Sequence, residues 1–540
     1  MSVQLTVFDG TNCIGGNKIH LAADGTNVFF DFGLNYSIKS QFFDEFLRPR
    51  SSLGLVDYLS TGLLPPIPGI YRDDLVPPGV NLWHRYNGTD FGDIEPQAIL
   101  LSHAHNDHLQ LVSFLKPHIP IYSSIVSAVI AKTQQDTGQG GADSETTSIV
   151  IKEEWEGLLR SKHYRTSPAL GRPYIIVDRN EIAAEVQKFW ASPSSSRSLQ
   201  AVPLQVWADN SNLGIHRESD RQKPYAGRVG SLNTLFFPVD HSIPGSGAWA
   251  VETSEGWVVY TGDLRMHGCT KYDTLHFIEY TANLKPLALI CEATHPESEW
   301  FMSEDAVYEN ARIAIELSRQ LVIADFSLTN IERLLTFYRI AKDTARTLVI
   351  TFKDAYLLEE LSKVIPDIPN PLVSSNLRVY GPNKVNLASW ERVLAERYVG
   401  KIIQSGEIQR STADFILCFG YYDLPNLVDI NPGNGHFIRS SSEPFHEQMV
   451  LDMERLHTWL DHFNIQYLCN DHPRQNISIK NQLKSPFHAS GHMTGRELLD
   501  LIERIRPRYV IPVHTEKPNL IRQMVRARMG SAVQTILPKA

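Results

Sequence analysis

LLSHAHNDHLQL, residues 100–111, places three histidines and an aspartate within six positions, just after the apolar run AILL. In an extended chain that leaves this run, His103 and His105 point to the same side, and Asp107 and His108 stand where a helix would begin. Together they offer four nitrogen and oxygen ligands, more than one tetrahedral zinc ion that also keeps a water molecule can use. The pattern therefore predicts two neighbouring metal ions at the end of a buried strand.

Three later segments have the same form, an apolar run that ends in a polar side chain. His241 ends FFPVDH, Asp263 ends VVYTGD, and His514 lies in VIPVHTE. Each is weak evidence alone, because a polar residue at a strand end is common. As a set, in this order, they are the expected remaining ligands.

The composition is that of an ordinary globular protein. Of 540 residues, 42% are hydrophobic and 21% charged, which is enough for several domains. No apolar run approaches the ~20 residues that span a bilayer, and the opening residues MSVQLTVFDG do not have the pattern of a secretory signal. The five cysteines form no C-x-x-C pair, which argues against a disulfide framework or a thiolate zinc finger. We therefore expect a cytoplasmic protein without a membrane partner.

Charge is unevenly distributed along the chain. The net charge is -9, yet residues 481–540 carry an excess of lysine and arginine that includes Arg504, Arg506 and Arg508. Two interpretations stay open for this segment: a solvated helix end, or a surface that faces a polyanion.

The pattern of elements changes near Glu304. Before it, strand candidates and turns dominate, and Asp24-Gly25 predicts a hairpin. After it, helix and strand patterns alternate, beginning with EDAVYENARIAIELSRQ and LVIADF, and this alternation predicts a parallel sheet with covering helices. Two polar inserts, residues 134–148 and 192–198, are expected to be exposed loops without a packing role.

With these ligands in this order, the chain resembles the metallo-β-lactamase fold family. Within that family it is similar to the β-CASP nucleases, which include ribonuclease J and the cleavage-and-polyadenylation endonucleases. The resemblance covers essentially the whole chain and implies two zinc ions, with manganese as an alternative. It implies that one ion is held by His103, His105 and His241, that the other is held by Asp107, His108 and His514, and that Asp263 bridges them.

Three motifs carry the β-CASP part of the resemblance: Glu292 in LALICEATH, His492 in FHASGHMTG and His514 in PVHTE. The implied fold is α/β, a metallo-β-lactamase αββα sandwich with an inserted α/β β-CASP domain. Residues 1–300 and 481–540 are expected to form the two parts of the sandwich, and residues 301–480 the insert. Asp31, in the segment that resembles the opening hairpin of the family, is expected near the metals.

Such a site implies a separate catalytic role for each of several side chains. Two zinc ions lower the pKa of a shared water and stabilise phosphoryl oxygens. Asp107 is expected to orient the resulting hydroxide, His492 to protonate the leaving oxygen, and Glu292 to fix a histidine ring. His488 and Ser490, which precede a predicted helix, are candidates for holding a terminal phosphate. Ser440, Ser441 and Ser442 are either a helix N-cap cluster or a second phosphate contact.

The expected function is that of a zinc-dependent ribonuclease, a metal-dependent hydrolase that cleaves RNA phosphodiester bonds. A 5′-3′ exonuclease is expected, with endonuclease activity left open. A DNA nuclease of the same fold is the alternative, disfavoured because such members usually carry an apolar residue at the position of His514. An inactive RNA-binding scaffold is disfavoured by the complete ligand set. RNA is the expected partner, and association into a homo-oligomer is left open.

The sequence departs from the family pattern in a few places. Ala104 stands where glycine is usual, and Leu109-Gln110 stand where Ile-Gly is common, but neither change removes a ligand. The sequence ends soon after His514. The additional C-terminal domain of ribonuclease J is therefore not expected within it, and the assembly of that enzyme is not carried over.

Overall fold

The computed structural model describes residues 3–44, 46–86, 94–193, 195–207, 224–381, 384–442, 444, 447–468 and 486–538. It is a mixed α/β structure with three seven-stranded sheets, which confirms the predicted fold class. Within these ranges no helix combines the length and the apolar character needed to cross a membrane.

The first sheet is built from the residues before 207. Its region contains, in chain order, β1 (Gln4–Asp9), β2 (Lys18–Ala23), β3 (Thr26–Phe30), α1 (Tyr36–Phe42), α2 (Val56–Ser60), β4 (Ala98–Leu100), α3 (Asn106–Leu109), β5 (Ile121–Ser123), α4 (Ile125–Thr137), β6 (Ser148–Ile149), β7 (Lys152–Trp155), β8 (Leu158–Ser161), β9 (Ala169–Gly171), β10 (Tyr174–Ile176), α5 (Ala184–Trp190), β11 (Leu199–Gln200) and β12 (Gln205–Val206). The strand order of the sheet is β1-β2-β3-β4-β5-β10-β12. Strand β4 is buried at every position, as expected of a parallel strand covered on both faces.

The predicted hairpin joins β2 and β3. Ala23 pairs with Thr26, and both residues between them have positive φ, 50° at Asp24 and 81° at Gly25. A type I′ turn requires positive φ at both central positions and favours Asp-Gly there. The hairpin prediction is therefore confirmed.

The second sheet begins after the first. Its first elements are β13 (Tyr225–Val229), β14 (Leu232–Pro238), β15 (Gly247–Thr253), β16 (Gly256–Tyr260), α6 (Lys271–Leu284) and β17 (Ala288–Glu292). Strands β13 to β16 form an antiparallel meander, and β17 lies parallel to β16. Side chains from both sheets pack together in a buried cluster that includes Phe30 and Leu100 of the first sheet and Trp249, Tyr260 and Ile290 of the second.

The third sheet belongs to the region where the sequence predicts alternating helices and strands. The elements are α7 (Glu304–Leu317), β18 (Leu321–Asp325), α8 (Ile331–Asp343), β19 (Thr347–Ile350), α9 (Phe352–Leu361), β20 (Leu377–Tyr380), α10 (Ser389–Arg397), β21 (Ile402–Ile403), α11 (Ser405–Arg410), β22 (Phe415–Cys418), α12 (Asn426–Ile430), β23 (Gly435–Arg439), α13 (Glu447–His462) and β24 (Ile465–Leu468). All neighbouring strands are parallel, in the order β21-β20-β19-β22-β18-β23-β24.

The C-terminal segment returns to the second sheet. It forms α14 (Gly495–Ile505), β25 (Tyr509–Val513), α15 (Pro518–Met529) and β26 (Gln534–Thr535). Strand β25 is parallel to β17, and Glu292 is in register with Val513. This register brings His514, the next residue, beside the end of β17.

Two local expectations need correction. Residues 134–137 are helical, and Glu145, Thr146 and Thr147 are buried, so the prediction of an exposed loop at 134–148 is wrong. The packing has a polar cause, since the buried Arg72 guanidinium lies 2.6 Å from the Glu145 carboxylate. In the other insert residues 195, 196 and 198 are exposed as expected, and residue 194 lies outside the described residues.

The helix expected to begin at Asp107 and His108 begins at Asn106 and is short. Helix α3 ends at Leu109 and a 3-10 turn follows over Gln110–Phe114. The His108 carbonyl accepts from Phe32 N–H at 2.8 Å, and Leu111 N–H donates to Phe32 O at 3.1 Å. These bonds to the strand-end segment take the place of bonds that would continue the helix.

Candidate metal centre

The ends of four strands meet at one place. The segment after β4 carries His103, His105, Asp107 and His108, and His241, Asp263 and His514 follow β14, β16 and β25. The described His and Asp side chains that are close enough to share a metal ion fall into four overlapping groups: His103, His105 and His241; His103, His108 and Asp263; Asp107, His108 and His514; Asp263, His492 and His514. The structure therefore brings together all seven residues predicted as ligands.

One half of the cluster is made of imidazoles. His105 Nδ1 lies 3.1 Å from His103 Nε2 and 3.2 Å from His241 Nε2. Burial, the main cause, lowers the pKa of all three rings, and that of His105 to about 4. The rings are therefore neutral near pH 7, which is the form that binds metal.

The other half surrounds carboxylates. His514 Nε2 lies 3.3 Å from Asp107 Oδ2. Asp263 Oδ2 stands between the two halves, 3.1 Å from His108 Nε2, 3.5 Å from His514 Nε2, and 3.8 Å from Nε2 of both His103 and His241. One carboxylate oxygen thus lies within 3.8 Å of imidazole nitrogens from both halves of the cluster.

Orphaned atoms inside the cluster support a metal. His108 Nε2 and Asp263 Oδ1 are buried, and neither has a hydrogen-bond partner of adequate geometry among the described residues. A buried polar atom without a partner costs free energy. Nitrogen and oxygen donors of this kind are the ligands that zinc takes, and the set offers more than one ion needs. The residues present therefore fit a metal cofactor.

Asp31 fixes the His108 ring from behind. Its carboxylate accepts from His108 Nδ1–H at 2.7 Å, from Ser102 N–H and Ser102 Oγ–H at 2.7 Å each, and from Tyr260 OH at 2.6 Å. A carboxylate on the outer nitrogen turns the other nitrogen toward the metal. Asp31 therefore lies where the family resemblance placed it, whereas Ser102 and Tyr260 were missed, because single Ser and Tyr residues carry no spacing signal.

Glu292 and Thr294 hold the remaining two rings. His492 Nδ1–H donates to Glu292 Oε1 at 3.2 Å. Thr294 Oγ1–H donates to Glu292 Oε2 at 2.8 Å, and His514 Nδ1 lies 2.9 Å from Thr294 Oγ1. Burial alone would lower the pKa of His492, but the Glu292 carboxylate and the acids beyond it raise the pKa to about 9. Glu292 thus orients His492 directly and His514 through Thr294, a residue that sequence reasoning missed.

The proposed phosphate contacts lie outside the four groups. His488 Nδ1–H donates to Ser440 O at 3.1 Å, and Ser490 Oγ accepts from His492 N–H at 3.1 Å. Burial lowers the pKa of His488 to about 4. Ser440 donates to Phe487 O and Ser441 donates to Asp325 Oδ2, so these two hydroxyls stabilise the local fold.

Three basic side chains of the C-terminal segment, Arg504, Lys517 and Arg528, form ion pairs among the described residues. Arg504 lies 3.2 Å from Glu279, and Arg528 lies 2.6 Å from both Asp500 and Glu503. Exposed pairs of this kind contribute little to stability, but they lower the positive charge of the surface. Both interpretations of this segment, a solvated helix end and a surface that faces a polyanion, stay open.

Comparison with known proteins agrees with this geometry. Residues 476–538 match the family RMMBL, described as a Zn-dependent metallo-hydrolase RNA specificity domain. Ribonuclease J of Mycoplasma pneumoniae (strain ATCC 29342 / M129 / Subtype 1) is 24% identical over 289 residues, 52% of this chain and 45% of that protein. Ribonuclease J of Mycoplasma genitalium (strain ATCC 33530 / DSM 19775 / NCTC 10195 / G37) is 24% identical over 285 residues, with the same shares.

The chain spans about half the length of the curated relatives it matches. The chain is also similar to a crystal structure of a protein of unknown function from Enterococcus faecalis V583. The match covers 100% of this chain and 98% of that protein's chain, with 19% sequence identity and a TM-score of 0.64. That likeness concerns the fold alone. The resemblance to ribonuclease J predicted from the motifs is confirmed by the sequence matches.

Proposed function

We propose that this chain is a zinc-dependent ribonuclease that hydrolyses RNA phosphodiester bonds. The observation that carries the proposal is the convergence of seven candidate ligand side chains, in which Asp263 Oδ2 lies within 3.8 Å of His103, His108, His241 and His514. The match of residues 476–538 to an RNA specificity domain, and the name ribonuclease J of the relatives, support RNA as the substrate. A cytoplasmic location and self-association stay predictions.

Two ions, zinc or manganese, fit the two halves of the cluster. We assign one to His103, His105 and His241, the other to Asp107, His108 and His514, with Asp263 between them. Bound there, the ions supply an activated water and positive charge for the phosphoryl oxygens. The domains are proposed as residues 1–300 with 481–540, and 301–480.

The protein residues divide the proton chemistry. We assign Asp107 to orient the attacking water, since it lies at the mouth of the cluster with its side chain 20% exposed. His492 is assigned to deliver a proton to the leaving oxygen. Its Nδ1 is held by Glu292, so Nε2 is the nitrogen that faces the substrate, and an imidazolium is a suitable general acid.

A cleft beside the site is the proposed path of the RNA. Its volume is about 1370 Å³, and its walls include Tyr36 and Gln110 from the first-sheet region and Tyr422 and Trp459 from the third. Aromatic side chains suit single-stranded nucleic acid, because every base has a face on which they can stack.

His488 and Ser490 are the proposed contacts for a terminal 5′ phosphate. His488 donates to Ser440 O through Nδ1–H, so it can donate to a phosphate through Nε2 only as an imidazolium, whereas the Ser490 hydroxyl retains its proton for donation. Hydrogen bonds from these groups suit a monophosphate. An enzyme that holds the 5′ phosphate in this way cleaves at a fixed distance from the 5′ end and releases nucleotides stepwise.

The test compares one RNA, labelled at its 3′ end, with a 5′ monophosphate, triphosphate or hydroxyl, and a DNA strand of the same sequence. We expect the monophosphorylated RNA to be degraded fastest, with the label passing from full-length RNA to very short 3′-end products and with no discrete internal fragments. Equal rates for the three RNAs with internal fragments first would leave an endonuclease. Equal cleavage of the DNA would contradict the ribonuclease, and no cleavage of any strand would leave an inactive scaffold.

A further inference from the structure

Buried charges fill the junction between the third-sheet region and the metal centre. We call this cluster the arginine clamp: Arg265 and Arg333 with the carboxylates of Asp240, Glu304 and Glu332. The two arginines and Asp240 are completely buried, and Glu304 is 3% exposed. Burying charges is costly, and apolar side chains of similar volume often serve stability as well. Stability alone therefore does not explain this cluster of buried charges.

Arg265 connects the segments that bear the ligands. It follows Asp263 by two residues, and its guanidinium lies 3.2 Å from Asp240, the neighbour of His241. Its Nη1 donates to Glu304 at 2.9 Å and to Ser490 O at 3.1 Å, and its Nη2 donates to Glu332. One side chain thus contacts the segments that carry Asp263, His241 and His492.

Arg333 acts from the other side. It lies on α8 and holds Glu304 with Nε at 3.1 Å and Nη2 at 2.9 Å. Its Nη1 donates to Ser440 O at 2.7 Å and to Phe487 O at 3.0 Å. Glu304, in the first turn of α7, is therefore gripped by both arginines, and each arginine also holds a backbone carbonyl of the segment 487–490.

The segment held in this way has no regular structure of its own. Residues 487–493 are neither helix nor strand, so their path depends on contacts made from outside. His492 lies two residues beyond Ser490. A guanidinium presents its donors in a fixed plane. Because each of the two guanidinium groups binds one carbonyl of the segment, together they restrict both its position and its tilt.

We propose that the arginine clamp positions His492 against the metal centre, with Arg333 and Glu304 as positioning residues supplied by the third-sheet region. Its catalytic consequence rests on the proposed function, whereas its structural consequence does not. Displacements of about 1 Å in a catalytic group can cost on the order of 100-fold in rate. Loosening the clamp is therefore expected to lower turnover without removing a metal ligand.

The test is Arg333→Lys with Arg346→Lys as the matched control. Lysine keeps the charge beside Glu304 but cannot also reach two carbonyls in fixed directions. Arg346 is another buried arginine that holds backbone carbonyls, those of Gln320 at 2.9 Å and Ser318 at 2.7 Å, and none of its hydrogen bonds reaches residues 487–492. Glu304→Gln is a second variant, used if Arg333→Lys does not fold.

Three quantities are measured: zinc content, hydrogen–deuterium exchange of the peptide that covers 487–494, and steady-state RNA hydrolysis. In Arg333→Lys we expect parent-like zinc, faster exchange of that peptide, and a loss of about 10- to 100-fold, mainly in kcat because His492 acts on the leaving oxygen. Arg346→Lys should leave the exchange of that peptide and kcat unchanged, even where its melting temperature falls equally.

Unchanged exchange of 487–494 in both Arg333→Lys and Glu304→Gln overturns the clamp whatever the activity. Faster exchange with parent-like kcat overturns the catalytic consequence. Equal effects in Arg346→Lys make the role structural only. A parent protein that does not hydrolyse RNA refutes the proposed function, and the exchange measurement still decides whether the clamp holds the segment.

Discussion

At the level of single residues, His492 is the histidine of the cluster that we assign to proton transfer and not to metal binding. It shares a possible ligand group with Asp263 and His514, yet its Nδ1 is 3.2 Å from Glu292 and 3.9 Å from Asp263. A carboxylate on Nδ1 also holds His108, so this contact does not separate a proton donor from a ligand, and the variant His492→Ala does. We expect His492→Ala to keep its metal and to lower turnover by ~100-fold or more, the usual loss for a general acid.

Elemental analysis and steady-state kinetics on the same preparation distinguish the two roles. Loss of zinc in His492→Ala would make His492 a ligand, and parent-like turnover would remove it from the mechanism. His276→Ala is a matched control, because this histidine lies on α6 and belongs to none of the four groups of possible ligands. That control should keep both metal and turnover.

The same scale shows what the sequence could and could not predict. His103 to His108 were predictable because ligands crowd the end of one strand, and the structure brings the distant His241, Asp263 and His514 to them. Thr294 was not predictable, because a lone threonine after a strand has many ordinary roles. In the structure its hydroxyl connects Glu292 with His514. The structure shows only that the seven predicted ligands lie close together. Their roles in binding metal therefore stay predictions.

At the scale of elements, the start of α14 connects helix stability to the site. Thr494 caps the helix in a reciprocal box with Glu497, and it lies two residues after His492. Thr351 and Asp354 form the same box on α9. We expect Thr494→Ala and Thr351→Ala each to cost about 1 kcal/mol of helix stability, but only Thr494→Ala to lower turnover.

Thermal unfolding and RNA hydrolysis of the two variants provide the comparison. Equal turnover in both, at similar losses of melting temperature, would show that the capping box does not affect His492. Thr494→Ser is the conservative variant, since serine keeps the capping hydroxyl. It should restore both properties.

Long periodic elements were predictable and short ones were not. The sequence predicted α7 and β18 because their apolar residues form a regular pattern over a whole element. It did not predict β21, which has two residues, or α11 and α12, which have six and five. Elements of that length are set by packing on their neighbours, and a short window of sequence contains little of that information.

At the scale of the whole molecule, the candidate metal centre lies where two sheets meet. His103, His105, Asp107 and His108 follow a strand of the first sheet, whereas His241, Asp263 and His514 follow strands of the second. Ions held by both groups bind only the state in which the sheets are packed together. The arginine clamp adds the third-sheet region to the same junction through Glu304 and Arg333.

This arrangement predicts how metal removal affects stability. A ligand at 100 times its Kd stabilises the folded state by about 2.7 kcal/mol, so chelation should lower the melting temperature and added zinc should restore it. Elemental analysis of the parent should give about two ions per chain.

Asp263→Ala should lack metal and hydrolysis, and chelator should hardly change its melting temperature. Asp178→Ala, which removes a strand-end carboxylate that instead accepts from Ile125 N–H at 2.8 Å, should keep its metal and respond to chelator like the parent. Full metal in Asp263→Ala, or a parent indifferent to chelator, would contradict a centre that joins the two sheets through Asp263.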